Sequence, residues 1–108
     1  MTCSDDITVE QLKAMQDRRD DFLLVDVRNP DEFAIGVIPG SLKLPLPELP
    51  DRWGELPKDK LIVLHCHHGG RSMRALKFLR QQGYTDLKNL AGGIDAWAER
   101  IDPSVPKY

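Results

Sequence analysis

The stretch "HCHHGGRS" over residues 65–72 concentrates most of the reactive side chains of this 108-residue chain. His65, Cys66, His67 and His68 are consecutive, and each carries an atom able to bind a metal. Gly69, Gly70, Arg71 and Ser72 follow. Two chemistries fit these residue types: a metal centre, or a pocket built around one reactive sulfur. The spacing serves the metal poorly. Neighbours on an extended chain point to opposite faces, and small metal sites draw pairs about two to four residues apart from two places in the sequence. His65, His67 and His68 are the only histidines, and the other cysteine, Cys3, is remote. No metal and no cofactor is expected.

Read as a nucleophile, Cys66 has a consistent setting. Gly69 and Gly70 permit positive φ, so successive N–H groups can turn inward as an anion-binding nest. A helix expected from Ser72 onward adds partial positive charge at the same place, and Arg71 supplies a fixed cation. All three favour thiolate over thiol. An unperturbed cysteine with pKa ~8.5 is only about 3% ionised at neutral pH, and a fall of ~2 units makes it mostly thiolate. The same cradle would hold an oxyanion substrate or leaving group. On residue types alone the plainer alternative stays open: a buried, inert cysteine at a strand end, with the glycines serving a tight turn.

The elements that must position this loop can be read on either side of it. "LIVLH" over 61–65 is a continuous apolar run, β-branched at its centre, and reads as a buried strand. "SMRALKFLRQQG" is amphipathic, with Ala75, Leu76 and Leu79 on one face and Gly83 as the stop. Upstream, Thr8 and Gln11 form a capping-box pattern ahead of Val9, Leu12 and Met15 on one helical face. "FLLVDV" over 22–27 reads as a second buried strand. Asn29 and Pro30 open a short helix ended by Gly36. A Pro-rich connector then holds one brief strand near 41–44. Downstream, "DLKNL" gives a weak strand, and "AGGIDAWAERI" turns through two glycines into a last helix. The tail over 102–108, "DPSVPKY", carries two prolines and is expected along the surface.

Strands alternating with helices at short spacing argue for a parallel sheet covered on both faces. Sites in such sheets form at the carboxyl ends of strands, where loops lead into helix N-termini. The cysteine loop lies at such a junction.

The totals restrict the function further. The chain is long enough for one domain with one core, with 41% apolar and 30% charged residues. A net charge of −2 gives no electrostatic case for nucleic acid or an anionic membrane surface. No apolar run approaches a membrane span, and "MTCSDDITVEQ" lacks the features of a signal peptide. The expected compartment is the cytoplasm, where Cys3 and Cys66 stay reduced. Nothing argues for more than a monomer.

With these residues in view, a family resemblance can be stated. "CHHGGRS", as Cys-x-x-Gly-x-Arg-Ser, resembles the active-site loop of rhodanese-type sulfurtransferases. "LLVDVRNPDEF" is similar to the family's Asp-Val-Arg segment, "GVIPGSLKLP" to its Ile-Pro-Gly segment and "LAGGIDAW" to its Gly-Gly-x-x-x-Trp close. The four run in the family's order over 23–97. The resemblance implies an α/β, rhodanese-like three-layer fold, with a central five-stranded parallel sheet and helices on both faces, formed by residues 1–108 as a single domain. It implies Cys66 as the persulfide-forming residue and the backbone of His67, His68, Gly69, Gly70 and Arg71 as the pocket. Asp26, Arg28 and Glu32 fall in the second motif and are expected as a buried polar network supporting the site, with Ser72 also in support. Arg28 is not expected to touch substrate. Trp97 is expected to pack the last helix on the sheet. Val37 stands where the family often has histidine, Phe33 where tyrosine is common, and His65 where an aromatic is frequent. The first two leave the loop chemistry intact, and His65 is expected to point off the pocket.

The resemblance implies transfer of a sulfane sulfur from a small anionic donor such as thiosulfate, through Cys66, to a thiol, an acceptor protein or cyanide. Partly protonated His67 and His68 at the mouth would attract dianions; as exposed polar loop residues they need no such role. Two rivals remain. Cell-cycle dual-specificity phosphatases carry five residues between cysteine and arginine; here His67, His68, Gly69 and Gly70 make four, a tighter cradle, and no general acid is singled out. A persulfide carrier or non-catalytic binding module is the other.

Overall fold

The computed structural model describes residues 5–108; Cys3, expected to stay unpaired, lies outside them. Its elements run β1 (Asp6–Ile7), α1 (Val9–Asp17), β2 (Phe22–Asp26), α2 (Pro30–Phe33) and β3 (Ser41–Lys43). Short helical turns follow over Leu46–Glu48, α3 (Leu49–Arg52) and Trp53–Glu55. The chain then forms β4 (Leu61–His65), α4 (Gly70–Gln81), β5 (Leu87–Leu90) and α5 (Gly93–Arg100). Every strand pairing is parallel, in the order β1-β5-β4-β2-β3. This is the five-stranded parallel sheet that the resemblance implies.

The apolar runs at β2 and β4 are continuous because both faces of the sheet are covered. Val25, Ile62 and Leu64 face a core shared with Leu49, Leu56, Ala75, Leu76 and Leu79, on the side of α3 and α4. Leu24 and Val63 point the other way, into a core with Val9, Leu12, Ile94 and Trp97 from α1 and α5. Alternate residues of one strand thus feed two cores, as the period of a strand requires. Trp97 packs α5 against the sheet. α1 starts as read: Thr8 Oγ1 accepts from the Gln11 N–H at 3.1 Å and Gln11 Oε1 accepts from the Thr8 N–H at 2.7 Å.

Three differences from the sequence reading bear on the site. β1 has no counterpart in it; this strand is held by its ladder to β5, with Asp6 beside Asn89 and Ile7 beside Leu90. α4 begins at Gly70, two residues before the expected start at Ser72, so Gly70 and Arg71 belong to the first helical turn and not to the loop. The tail does not merely run along the surface. Val105 is buried in the α1–α5 core, and Tyr108 folds back over the cysteine loop.

Candidate active site

β4 delivers Cys66 at its carboxyl end, and the chain must turn at once into α4. Gly69 makes the turn possible with φ of +114°, a left-handed conformation that side chains resist. The loop carbonyls are drawn outward: Cys66 O accepts from the Ile94 N–H at 2.9 Å and His67 O from the Asp95 N–H at 3.1 Å, both at the start of α5. With the carbonyls held there, N–H groups face the sulfur. The Gly69 N–H donates to Cys66 Sγ at 3.0 Å, and the Ser72 hydroxyl lies 3.5 Å away. Burial pushes the thiol pKa up, but the Ser72 hydroxyl and the N–H groups of Ser72, Gly69 and His68 together bring it below the ordinary cysteine value. The residue is almost fully enclosed, and its thiol is free.

The charged residues of the expected support network form two ion pairs, Asp26–Arg28 and Glu32–Arg71, joined through the Tyr108 hydroxyl. Asp26 and Arg28 form a sealed pair: Arg28 Nε donates to Asp26 Oδ1 at 3.0 Å and Nη2 to Oδ2 at 2.7 Å, with both side chains wholly buried. The rest of the guanidinium donates to Gly36 O, Glu32 O and the Tyr108 hydroxyl, so it is satisfied without substrate. Glu32 instead holds Arg71 in a bidentate pair, at 2.6 and 2.8 Å. It also accepts the Asn29 N–H and the Tyr108 hydroxyl. Arg71, above all, with the Asn29 N–H and Tyr108 in support, overcomes burial and holds the Glu32 carboxyl down to about 2. Arg71, read from the sequence as a fixed cation, is held in place by a carboxylate that shares its charge. The signal was in the motif, but nothing local announces that Glu32 and Arg71 meet.

His67 and His68 stack at the mouth, ring centroids 3.9 Å apart, and Tyr108 lies on the other face of His67 at 3.9 Å and 5°. Burial first, then the neighbouring His68, holds the His67 pKa below the usual imidazole value. His67 is therefore mostly neutral at neutral pH, which removes it as a source of attraction for dianions. The structure also adds a side chain to the two histidines that spacing in the sequence did not connect with them. Asp95 of α5 brings a carboxylate so that one donor atom each from His67, His68 and Asp95 lie within 4.8 Å of one another. Sequence spacing could not show this, because Asp95 arrives through the sheet.

His65 points away from the loop, its Nε2 3.0 Å from Ser41 Oγ and 4.0 Å from Asp26 Oδ2. Full burial, opposed by Asp26 and the Cys66 backbone but reinforced by Arg28, lowers its pKa from 6.5 to about 4. The unfolded chain therefore binds a proton before the folded one does. Stability from this residue is complete above pH 6.5 and falls as pH drops toward 4, by roughly 3 kcal/mol. Denaturant titrations across that window should show the decline in the wild type and a flatter profile in His65→Gln. Parallel slopes in the two proteins would exclude His65 as its source.

A parallel α/β sheet that holds a free thiol among N–H groups, between the end of a central strand and a helix N-terminus, has its candidate site where such sheets place theirs. Comparison with known proteins then sets the family. The model of the rhodanese-like domain family matches residues 8–100, and the chain belongs to that sulfurtransferase family. It is 45% identical over 100 residues to a sulfurtransferase of Allochromatium vinosum, covering 93% of this chain and 94% of that protein. It is 39% identical to the chloroplastic rhodanese-like/PpiC domain-containing protein 12 of Arabidopsis thaliana, covering 95% of this chain but 37% of that longer protein. The crystal structure of a rhodanese-related protein from Thermoplasma volcanium superposes with a TM-score of 0.80 at 33% identity, over 89% of this chain and 92% of that one. Among the described residues no helix is long and apolar enough to cross a membrane.

Proposed function

We propose that this protein moves sulfane sulfur from thiosulfate or another persulfide donor, through a persulfide on Cys66, to a thiol or cyanide acceptor. The observation that carries the reading is the Cys66 sulfur itself, buried yet receiving the Gly69 N–H at 3.0 Å, with its pKa lowered. In the first half-reaction the Cys66 thiolate attacks the outer sulfur of thiosulfate. A new S–S bond forms, the donor S–S bond breaks, and its electron pair leaves with sulfite. In the second, cyanide or a thiolate attacks the terminal sulfur of the persulfide, and the pair of the broken S–S bond returns to Cys66. Each half is a balanced displacement of ping-pong type.

The inward N–H groups stabilise the thiolate before attack and the anionic persulfide after it. Pairing of Arg71 with Glu32 supports sulfur over phosphate, since a phosphate ester would need that guanidinium for its own oxygens. Donor and acceptor are proposed as small anionic sulfur compounds and thiols, with an acceptor protein also admitted, in a reducing cytoplasmic setting. His68 remains exposed at the mouth, where such partners would approach.

Intact-mass spectrometry of the reduced protein after brief thiosulfate treatment tests the reading. The expected result is the gain of one sulfur atom, mapped to the Cys66 peptide and removed by cyanide. No adduct from thiosulfate but one from a protein persulfide donor would make the protein a carrier. Hydrolysis of an aryl phosphate without any sulfur adduct would make it a phosphatase, and neither activity would leave a binding module.

A further inference from the structure

Behind the thiol, a buried hydroxyl faces more acceptors than it can serve. Ser72 Oγ lies 3.5 Å from Cys66 Sγ, 3.2 Å from Gly69 O and within hydrogen-bond reach of Asn89 Oδ1. A serine hydroxyl has one proton to give. Asn89 is almost fully buried in the middle of β5, and its amide nitrogen donates to Asp6 Oδ1 of β1 at 3.0 Å. That contact decides which way the amide points. A carboxylate only accepts, so the Asn89 nitrogen must face Asp6, and the carbonyl oxygen, which also only accepts, must face Ser72. The chain then has a direction: Ser72 donates to Asn89, Asn89 donates to Asp6, and a lone pair of Ser72 is left toward the sulfur. While the proton is given to Asn89 the hydroxyl cannot also give it to Cys66 Sγ, so the pull of Ser72 on the thiol is exerted only for the share of time Asn89 does not hold that proton.

We propose that Asn89, oriented by Asp6, is a positioning residue that competes with Cys66 for the single Ser72 proton and so keeps part of the resting thiol protonated. The pull of the Ser72 hydroxyl on the thiol is available only when Asn89 releases it. The loop N–H groups are unaffected by the competition, since they are fixed by the turn and by the carbonyl contacts to α5. The charged and titratable groups packed around this line are Arg71 of α4 with Glu32 of α2, His67 and His68 of the loop, and Asp95 of α5 on the sulfur side. Asp5 with Arg80 and Lys88 lies on the Asp6 side. A thiol held partly protonated is less prone to oxidation between turnovers, because the thiolate is the species oxidised. The inference rests on Cys66 as the reactive thiol, but not on sulfur as its cargo.

The test is the pH dependence of Cys66 alkylation by iodoacetamide, followed on the Cys66 peptide, so it needs no sulfur donor. Asn89→Leu removes the side-chain acceptor at similar size and leaves Gly69 O, a neutral carbonyl, as the one rival to the charged sulfur, so the midpoint should fall, by up to about one pH unit, the size of a hydrogen bond gained by a charged group. In a Ser72→Ala background the same substitution should leave the midpoint where Ser72→Ala puts it, because the effect travels through the hydroxyl. Asp6→Asn, at an exposed position, frees the amide to turn and should lower the midpoint by a smaller amount, again only when Ser72 is present; it decides the matter if Asn89→Leu does not fold. An unchanged or raised midpoint overturns the proposal, as does a fall that persists without Ser72. Loss of the persulfide in the mass experiment with these shifts intact would overturn the sulfur reading and leave the proton competition standing.

Discussion

Replacing Cys66 with serine should reduce sulfur transfer from thiosulfate to cyanide by at least about a thousandfold, to the uncatalysed rate, without unfolding the protein. The side chains differ by one atom, and the Gly69 N–H that now points at Sγ still finds an acceptor. What vanishes is the nucleophile. A serine hydroxyl is not ionised at neutral pH, and the nearest side chains offer no base to ionise it: the Ser72 hydroxyl is itself a donor, and Arg71 is a cation tied to Glu32. An oxygen in place of sulfur also has no persulfide to form, so neither half of the cycle exists. Steady-state rates and thermal midpoints of both proteins check the expectation. Residual transfer above about a tenth of the wild-type rate would move the covalent sulfur to Cys3, the other cysteine of the chain.

Elements that announce themselves in the sequence are those whose stability is local or whose burial is complete. β2 and β4 are continuous apolar runs because they are interior strands covered on both faces, and α4 shows its buried stripe of Ala75, Leu76 and Leu79. β1 spans two residues and exists through pairing with β5, so no local pattern records it. The helical turns between Leu46 and Glu55 are hidden by prolines that mark a connector equally well. At the site the same division holds. Cys66 and its glycines are adjacent in sequence because the turn itself is local. Glu32 and Arg71, Asn89 and Ser72, Tyr108 and His67 are brought together by separate strands or by the tail, and each pair is silent until the sheet is assembled. Asn89 left one trace: strand alternation puts it on the same face of β5 as the buried Leu87, and a buried polar residue needs a partner.

The glycines of the two motifs should behave in opposite ways. Gly93→Ala should destabilise the protein by about 4 kcal/mol or abolish folding, whereas Gly70→Ala should change stability by less than about 1 kcal/mol, in the stabilising direction. A methyl group on Gly93 would lie 2.4 Å from Cys66 O and 2.5 Å from His67 O, inside any permitted contact. Both atoms are backbone, and both are already held by the N–H groups of Ile94 and Asp95 at the start of α5. Neither can withdraw without breaking those bonds. Gly93 also has φ of +57°, where a Cβ adds a further cost of about 1–2 kcal/mol. Gly70 has no such restriction: nothing lies within 4 Å of its would-be Cβ, and it is the first residue of α4, where alanine loses less entropy on folding. The effect on function should follow the same geometry. If Gly93→Ala folds at all, α5 must move off the loop, the Cys66 and His67 carbonyls lose their partners, and the N–H groups no longer converge on the sulfur. Its Cys66 alkylation midpoint should then rise toward that of an ordinary cysteine, while Gly70→Ala keeps the wild-type value. Equal stabilities for the two variants would mean that α5 does not hold the loop, and that the inward turn of the N–H groups is maintained by Gly69 alone.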